Sequence, residues 1–240
     1  MTEYSSGAYI VSRKGRRGGR GRDPRRRPNR AAGILVIVLL LLTAGICLLV
    51  VFLPEFKISG VGGAADFSGK TFYFLTTGKA TDRLAAREQA QYAIERGGAG
   101  YIYNDGNYRI VAAAYEREAD AKTLASVNAD ADYFAFSLPS AACDGGDKAT
   151  LEYLAGELFT VCATAATELD RGNITEASAE YAVCSALDNL AALACSASSE
   201  RIKSAAAECA YYEIPQGRSV LSYIRYVQVR MLVVMRAALV

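Results

Sequence analysis

The feature that most constrains this chain is an uncharged apolar run from Ala31 to Leu53, which reads AAGILVIVLLLLTAGICLLVVFL. A helix of that length reaches across the roughly 30 Å hydrocarbon core of a bilayer. A cleaved signal peptide would have a shorter apolar core and a small-residue cleavage site, and residues 52–56 contain no A-x-A pattern. A lipid anchor on Cys47 is disfavoured because Ile46 precedes the cysteine. We therefore predict a retained transmembrane helix at 31–53.

Charge is distributed unevenly on the two sides of this run. Residues 1–30 contain ten Lys and Arg against Glu3 and Asp23, whereas the remainder contains seventeen basic and twenty-three acidic residues. Basic segments stay in the cytoplasm. This predicts a single-pass protein of the cell membrane, with a basic disordered cytoplasmic tail at 1–30, a linker at 54–69 and extracytoplasmic domains. RGG-like spacing at 17–22 predicts salt-sensitive attraction to nucleic acid but no specific nucleic-acid partner.

Composition argues against most enzymatic chemistry. The 240 residues include no histidine, which removes the usual base of nucleophilic hydrolases and the commonest zinc ligand. The six cysteines form no C-x-x-C pair and lie mainly in alanine-rich sequence. We expect them to be small buried apolar residues, with one disulfide involving Cys184 left open. We predict no enzyme activity, no catalytic residues, no metal and no cofactor.

Residues 70–139 contain alternating strand and helix signals in the order β-α-β-β-α-β. The predicted strands are 71–76, 100–103, 108–113 and 132–138, and the predicted helices are 81–96 and 116–127. Asp105-Gly106 predicts a hairpin turn between the second and third strands. The order predicts an α+β fold of the ferredoxin-like type, with two helices on one face of an antiparallel sheet and the other face open.

The same segment resembles a SPOR (sporulation-related repeat) domain. Its first half is similar at Thr71–Gly78 and Asp82–Ala90, and its second half at Tyr108–Tyr115 and Glu116–Ala121. The resemblance covers about 70 residues and includes the element order. The chain departs from the family at Leu75 and Thr77, where glutamine and glycine are usual. It departs again at residues 113–115, where Ala-Ala-Tyr replaces Gly-Pro-Phe.

The resemblance implies a function and a site. Family members bind peptidoglycan glycan strands, especially those stripped of stem peptides, at division or sporulation septa. Carried over to this chain, the open sheet face would hold Tyr73, Leu75, Arg109, Val111 and Tyr115. The alternative is a membrane-anchored protein–protein scaffold whose SPOR-like domain binds no glycan. A carboxylate-based cell-wall hydrolase is a third hypothesis, disfavoured by the absence of histidine.

Residues 140–240 are predicted to be a helical C-terminal domain. Helices are expected at 148–171, 175–197, 199–212 and 218–240, packed as a small antiparallel bundle that recruits a septal protein or self-associates. The last segment is apolar enough to suggest a second membrane crossing. Arg225, Arg230 and Arg236 interrupt it, so we predict an amphipathic helix packed on protein instead.

Overall fold

The computed structural model describes residues 65–240, and its largest sheet contains four antiparallel strands. The predicted tail, transmembrane helix and most of the linker, residues 1–64, lie outside the described residues. A short ribbon pairs β1 (Ala65–Phe67) with β6 (Ala141–Cys143). The main sheet contains β2 (Lys70–Ala80), β3 (Tyr101–Asn104), β4 (Tyr108–Tyr115) and β5 (Asp132–Leu138), in the order β3-β4-β2-β5. The fold is therefore α+β, with the four main strands where the sequence predicts them.

Two helices connect these strands and pack on one face of the sheet. Helix α1 spans Arg83–Glu95 and helix α2 spans Glu118–Ser126. The Asp82 carboxylate caps α1 by accepting hydrogen bonds from the Leu84 and Ala85 amides, both at 2.9 Å. Alanines of α1 pack against Ile110 of β4. We call this side of the sheet the outer face.

The rest of the chain is helical. Helix α3 spans Gly145–Tyr153, a π-helical turn spans Leu154–Leu158, and α4 spans Phe159–Asp170. Helix α5 spans Glu176–Ala194, α6 spans Glu200–Ala210 and α7 spans Val220–Leu239. Hydroxyls of Thr175, Ser199 and Ser219 cap the last three helices by accepting from backbone amides. The helices predicted at 148–171, 175–197, 199–212 and 218–240 are present, with ends shifted by a few residues.

The π-helical turn has a specific partner on the sheet. A π turn widens the helix and changes the pairing of its backbone carbonyls. The Lys70 ammonium at the start of β2 donates to the carbonyl of Ala155, at 2.8 Å, and to the Glu116 carboxylate, at 2.7 Å. Lys70 therefore ties the turn to the end of β4, beside the start of α4.

The prediction of an open sheet face is wrong, because the C-terminal helices cover it. Phe72 and Phe74 project from the inner face, opposite α1 and α2, and both are fully buried. The Phe72 ring lies 4.6 Å from the ring of Phe159 on α4. The Ser222 hydroxyl of α7 donates to the Gly98 carbonyl at 2.7 Å, and the Arg236 guanidinium lies 4.8 Å from the Phe136 ring.

One hydrophobic core therefore joins the sheet to the C-terminal helices. It contains inner-face residues of the sheet together with buried residues of α3 to α7, and the described residues form one compact unit. The core crosses the predicted boundary between 70–139 and 140–240. The strand segment thus has its larger apolar face buried by a part of the chain that the sequence assigned to a separate domain.

Helix α7 packs on protein along its whole length, as the three arginines predicted. One side of α7 packs on the sheet and the opposite side contacts α6. There Arg230 pairs with Glu208 at 3.1 Å, and the Cys209 thiol donates to the Met231 carbonyl at 3.9 Å. Within residues 65–240, α7 and the other helices all lack the combination of length and apolarity that crossing a bilayer requires.

The buried cysteines behave as apolar residues, as predicted. Cys162 on α4 and Cys209 on α6 are buried free thiols, and burial raises the pKa of each to about 12. Cys184 is also a free thiol, so the disulfide left open for it is not formed within residues 65–240. Cys195 differs from the prediction because it lies exposed at the end of α5.

Candidate functional site

The strand register separates the five residues predicted to bind glycan. Tyr73 and Leu75 of β2 lie on the outer face, opposite Tyr115 and Ala113 of β4. Val111 pairs with Thr76 and belongs to the inner core, where it is fully buried. A β-bulge near Leu75 shifts the pairing by one residue. Side chains at the two ends of β4 therefore do not follow one continuous alternation between the outer and inner faces.

Arg109 lies away from Tyr73, Leu75 and Tyr115, on the same side of β4 as Val111, two residues later. It pairs with Lys79 across the ladder, at the end of β4 distant from Tyr115. Its guanidinium pairs with the Asp105 carboxylate at 2.7 Å and lies 4.8 Å from the Phe134 ring. The five residues therefore do not form one surface, and Tyr115 is the predicted residue that reaches a cleft.

The cleft has a volume of about 770 Å³ and lies between the end of β4 and helices α2, α4 and α7. That volume is typical of small-molecule sites. Its walls include Ala113, Ala114, Tyr115, Glu116, Arg117, Asp120, Thr123, Leu124, Phe159, Thr160, Ala163, Thr164, Ala166, Thr167, Glu168, Asp170, Arg171, Arg225 and Gln228.

The cleft exists because β3 is shorter than β4. Strand β3 pairs with residues 108–111 and then ends. The Ala112 carbonyl accepts from the Ala99 amide at 2.7 Å, in the turn that precedes β3. In the described part of the chain, residues 113–115 have no strand on this side, and the cleft opens beside them. Strand edges of this kind offer backbone donors and acceptors to a ligand.

The charges in the cleft walls are paired with one another. Arg117 pairs with Asp120 at 2.8 Å, Arg171 with Glu168 at 3.3 Å and Arg225 with Asp170 at 3.1 Å. The fourth carboxylate, Glu116, pairs with Lys70 at 2.7 Å.

Hydroxyl groups and an apolar floor complete the lining. Thr160, Thr164 and Thr167 are exposed along one side of α4, while alanines of β4 and α4 lie beneath them. The Thr160 and Thr167 hydroxyls already donate to the Gly156 and Ala163 carbonyls, both at 2.8 Å, so they offer acceptors to a ligand. The paired charges offer donors and acceptors without a large net field. The arrangement suits a neutral ligand with many hydroxyls better than a strongly charged one.

Two further side chains give the cleft specific hydrogen-bonding groups. The pKa of Tyr115 is raised, chiefly by burial, so its phenol stays protonated at neutral pH. Gln228 of α7 is 2% exposed, and its amide nitrogen Nε2 is buried without a hydrogen-bond partner among residues 65–240. An unpaired buried donor is costly in a folded protein and calls for an explanation.

Most of this site could not be predicted from the sequence. All four cleft walls, β4, α2, α4 and α7, were predicted as elements, but their meeting depends on α4 and α7 packing on the sheet. In the sequence Arg225 interrupts an apolar segment, and in the structure it donates to the Gly97 carbonyl, at 2.9 Å, and to the Asp170 carboxylate. Within the described residues there is no cluster of acidic residues and cysteines able to hold a metal ion.

No protein-family model, curated protein or solved structure matches this chain.

Proposed function

We propose that this chain is a membrane-anchored, non-enzymatic protein of a bacterial envelope that binds glycan strands of peptidoglycan in the cleft beside β4. The observation that carries the proposal is the cleft itself, with its exposed threonines, paired charges and Tyr115. Sugar rings present many hydroxyls that need both donors and acceptors, together with apolar faces that pack on aromatic and aliphatic side chains.

The fold supports the resemblance to SPOR domains at the level of topology. If the four strands of the main sheet, β2 to β5, are renumbered 1 to 4 in chain order, their order across the sheet is 2-3-1-4. All neighbouring strands are antiparallel. We propose that this is a ferredoxin-like split β-α-β unit whose inner face has been closed by the C-terminal helices. The glycan site would then have moved from the sheet face to the edge of β4.

The other hypotheses have less support in the structure. A hydrolase of the carboxylate type needs an acid and a second carboxylate facing one another across the substrate. Each carboxylate of the cleft is instead engaged by a cation. A scaffold that binds protein partners through the helices remains the alternative, since Tyr181 on α5 is 77% exposed and Leu84 on α1 is 67% exposed.

Co-sedimentation with peptidoglycan sacculi tests the proposal. The full chain, purified in detergent, is expected to sediment with sacculi and to do so more strongly after an amidase has removed the stem peptides. Stripping exposes the sugar rings, which the cleft would then reach. A folded protein that sediments with neither preparation would contradict glycan binding and would favour the scaffold.

A further inference from the structure

We propose that the cleft recognises an acetamido group, with the Gln228 side-chain amide donating to its carbonyl oxygen. This inference rests on the proposed function and names the chemical group that the same cleft selects. Gln228 is the residue that carries it, because its Nε2 is a buried donor with no partner among residues 65–240. A ligand carbonyl would supply the acceptor that the protein lacks.

The surroundings of Gln228 favour an uncharged acceptor over a carboxylate. The cleft is lined by four carboxylates, those of Glu116, Asp120, Glu168 and Asp170. It is also lined by three guanidiniums, those of Arg117, Arg171 and Arg225. The guanidiniums already pair with carboxylates, and Glu116 pairs with Lys70, so the wall offers no unpaired positive charge to an anionic ligand. A neutral amide carbonyl accepts the hydrogen bond from Gln228 without needing such a charge.

The small residues of the cleft fit the remainder of the group. Ala113, Ala114 and Ala166 lie in the lining, and alanine side chains leave room for a methyl group beside an apolar surface. The backbone at residues 113–115 has no strand on the cleft side within the described chain, so it can pair with a ligand amide N–H. The cleft thus offers a partner to each part of an acetamido group: Gln228 to the carbonyl, the backbone at 113–115 to the N–H, and the alanines to the methyl.

The test compares two neutral trisaccharides that differ at carbon 2 of each ring, tri-N-acetylchitotriose and cellotriose. Isothermal titration of the full chain is expected to show about threefold to tenfold tighter binding of the acetylated sugar, the range that one neutral hydrogen bond contributes. Gln228→Leu keeps the side-chain size but removes the donor. It is expected to reduce this preference to less than about twofold while leaving the protein folded, because the lost donor had no partner.

Sedimentation with sacculi distinguishes a failure of the acetamido inference from a failure of glycan binding itself. If the wild-type protein binds sacculi but shows equal affinity for the trisaccharides, or measurable affinity for neither, the acetamido inference is overturned and glycan binding stands. If Gln228→Leu keeps the full preference for the acetylated sugar, the assignment to Gln228 is overturned. A folded protein that sediments with no form of sacculi overturns both proposals together.

Discussion

A chain that ends at Gly217, without helix α7, is expected to lose the folded structure of its sheet as well as of its helices. Helix α7 buries Ile224, Met231, Leu232 and Met235 completely, and it closes the inner face of the sheet. Each such side chain contributes about 1.5–3 kcal/mol on burial, so their sum is comparable with the whole stability of a domain, about 5–15 kcal/mol.

Circular dichroism and limited trypsin digestion of the truncated and full-length proteins measure this effect. The truncated protein should lose strand signal and be cut throughout residues 65–217. Ala237→Lys is the matched control, since this residue lies exposed near the end of the same helix, and it should leave both readouts unchanged. A truncated protein with a protease-resistant core over residues 70–139 would show that the strand segment folds independently.

The substitution Asp147→Ala is expected to destabilise the protein by about 3 kcal/mol. Asp147 lies on α3 and is 4% exposed. Its carboxylate accepts from the Ser198 and Ser199 amides, both at 3.0 Å, and from the Ser198 hydroxyl at 3.2 Å. Hydrogen bonds to a charged acceptor contribute about 1.5–3 kcal/mol, and their loss leaves the part-buried amides of Ser198 and Ser199, just before α6, without this acceptor.

Urea unfolding followed by circular dichroism gives the comparison. Asp144→Ala provides the control three residues earlier. That exposed carboxylate caps α3 by accepting from the Asp147 amide at 2.8 Å, and loss of such a cap costs about 1 kcal/mol. Equal urea midpoints for the two variants would contradict the prediction that the Asp147 hydrogen bonds stabilise the packing of α3 against the start of α6.

The local elements of this fold were predictable because their signals are short-range. Aromatic and β-branched residues predicted β2 and β5, and Asp105-Gly106 predicted the hairpin that joins β3 to β4. Capping residues placed the starts of α5 and α6 within a residue or two. The short ribbon of β1 and β6 was missed, because each strand has three residues and no alternation to detect.

The covered sheet face was not predictable from local patterns. An aromatic row such as Phe72 and Phe74 indicates a buried side, but the sequence does not say which helices bury it. The predicted open face holds Tyr73 and Leu75, which would place the aromatic row against α1 and α2. In the structure those helices take the outer face, where small alanines of α1 pack on Ile110. The aromatic row packs instead on helices some eighty to 160 residues later.

The five residues predicted to bind glycan do not share one face of the sheet, for a related reason. A list of positions from a resemblance assumes a regular strand alternation, and the bulges in β2 and β4 change which residues share a face. Tyr115 remains in a candidate site because it ends β4, beyond the point where β3 pairs. Gln228 gave no signal, since one glutamine in an apolar helix is unremarkable until its partners are known.

Blocking the cleft is the most direct test of where the glycan binds. Thr164 is exposed on the cleft side of α4, and Ser185 is also exposed, on α5 outside the cleft. The account predicts that Thr164→Trp abolishes sedimentation with amidase-treated sacculi, whereas Ser185→Trp and Arg109→Ala bind as the wild type does. Full binding by Thr164→Trp together with loss of binding by Arg109→Ala would contradict the account and return the site to the sheet.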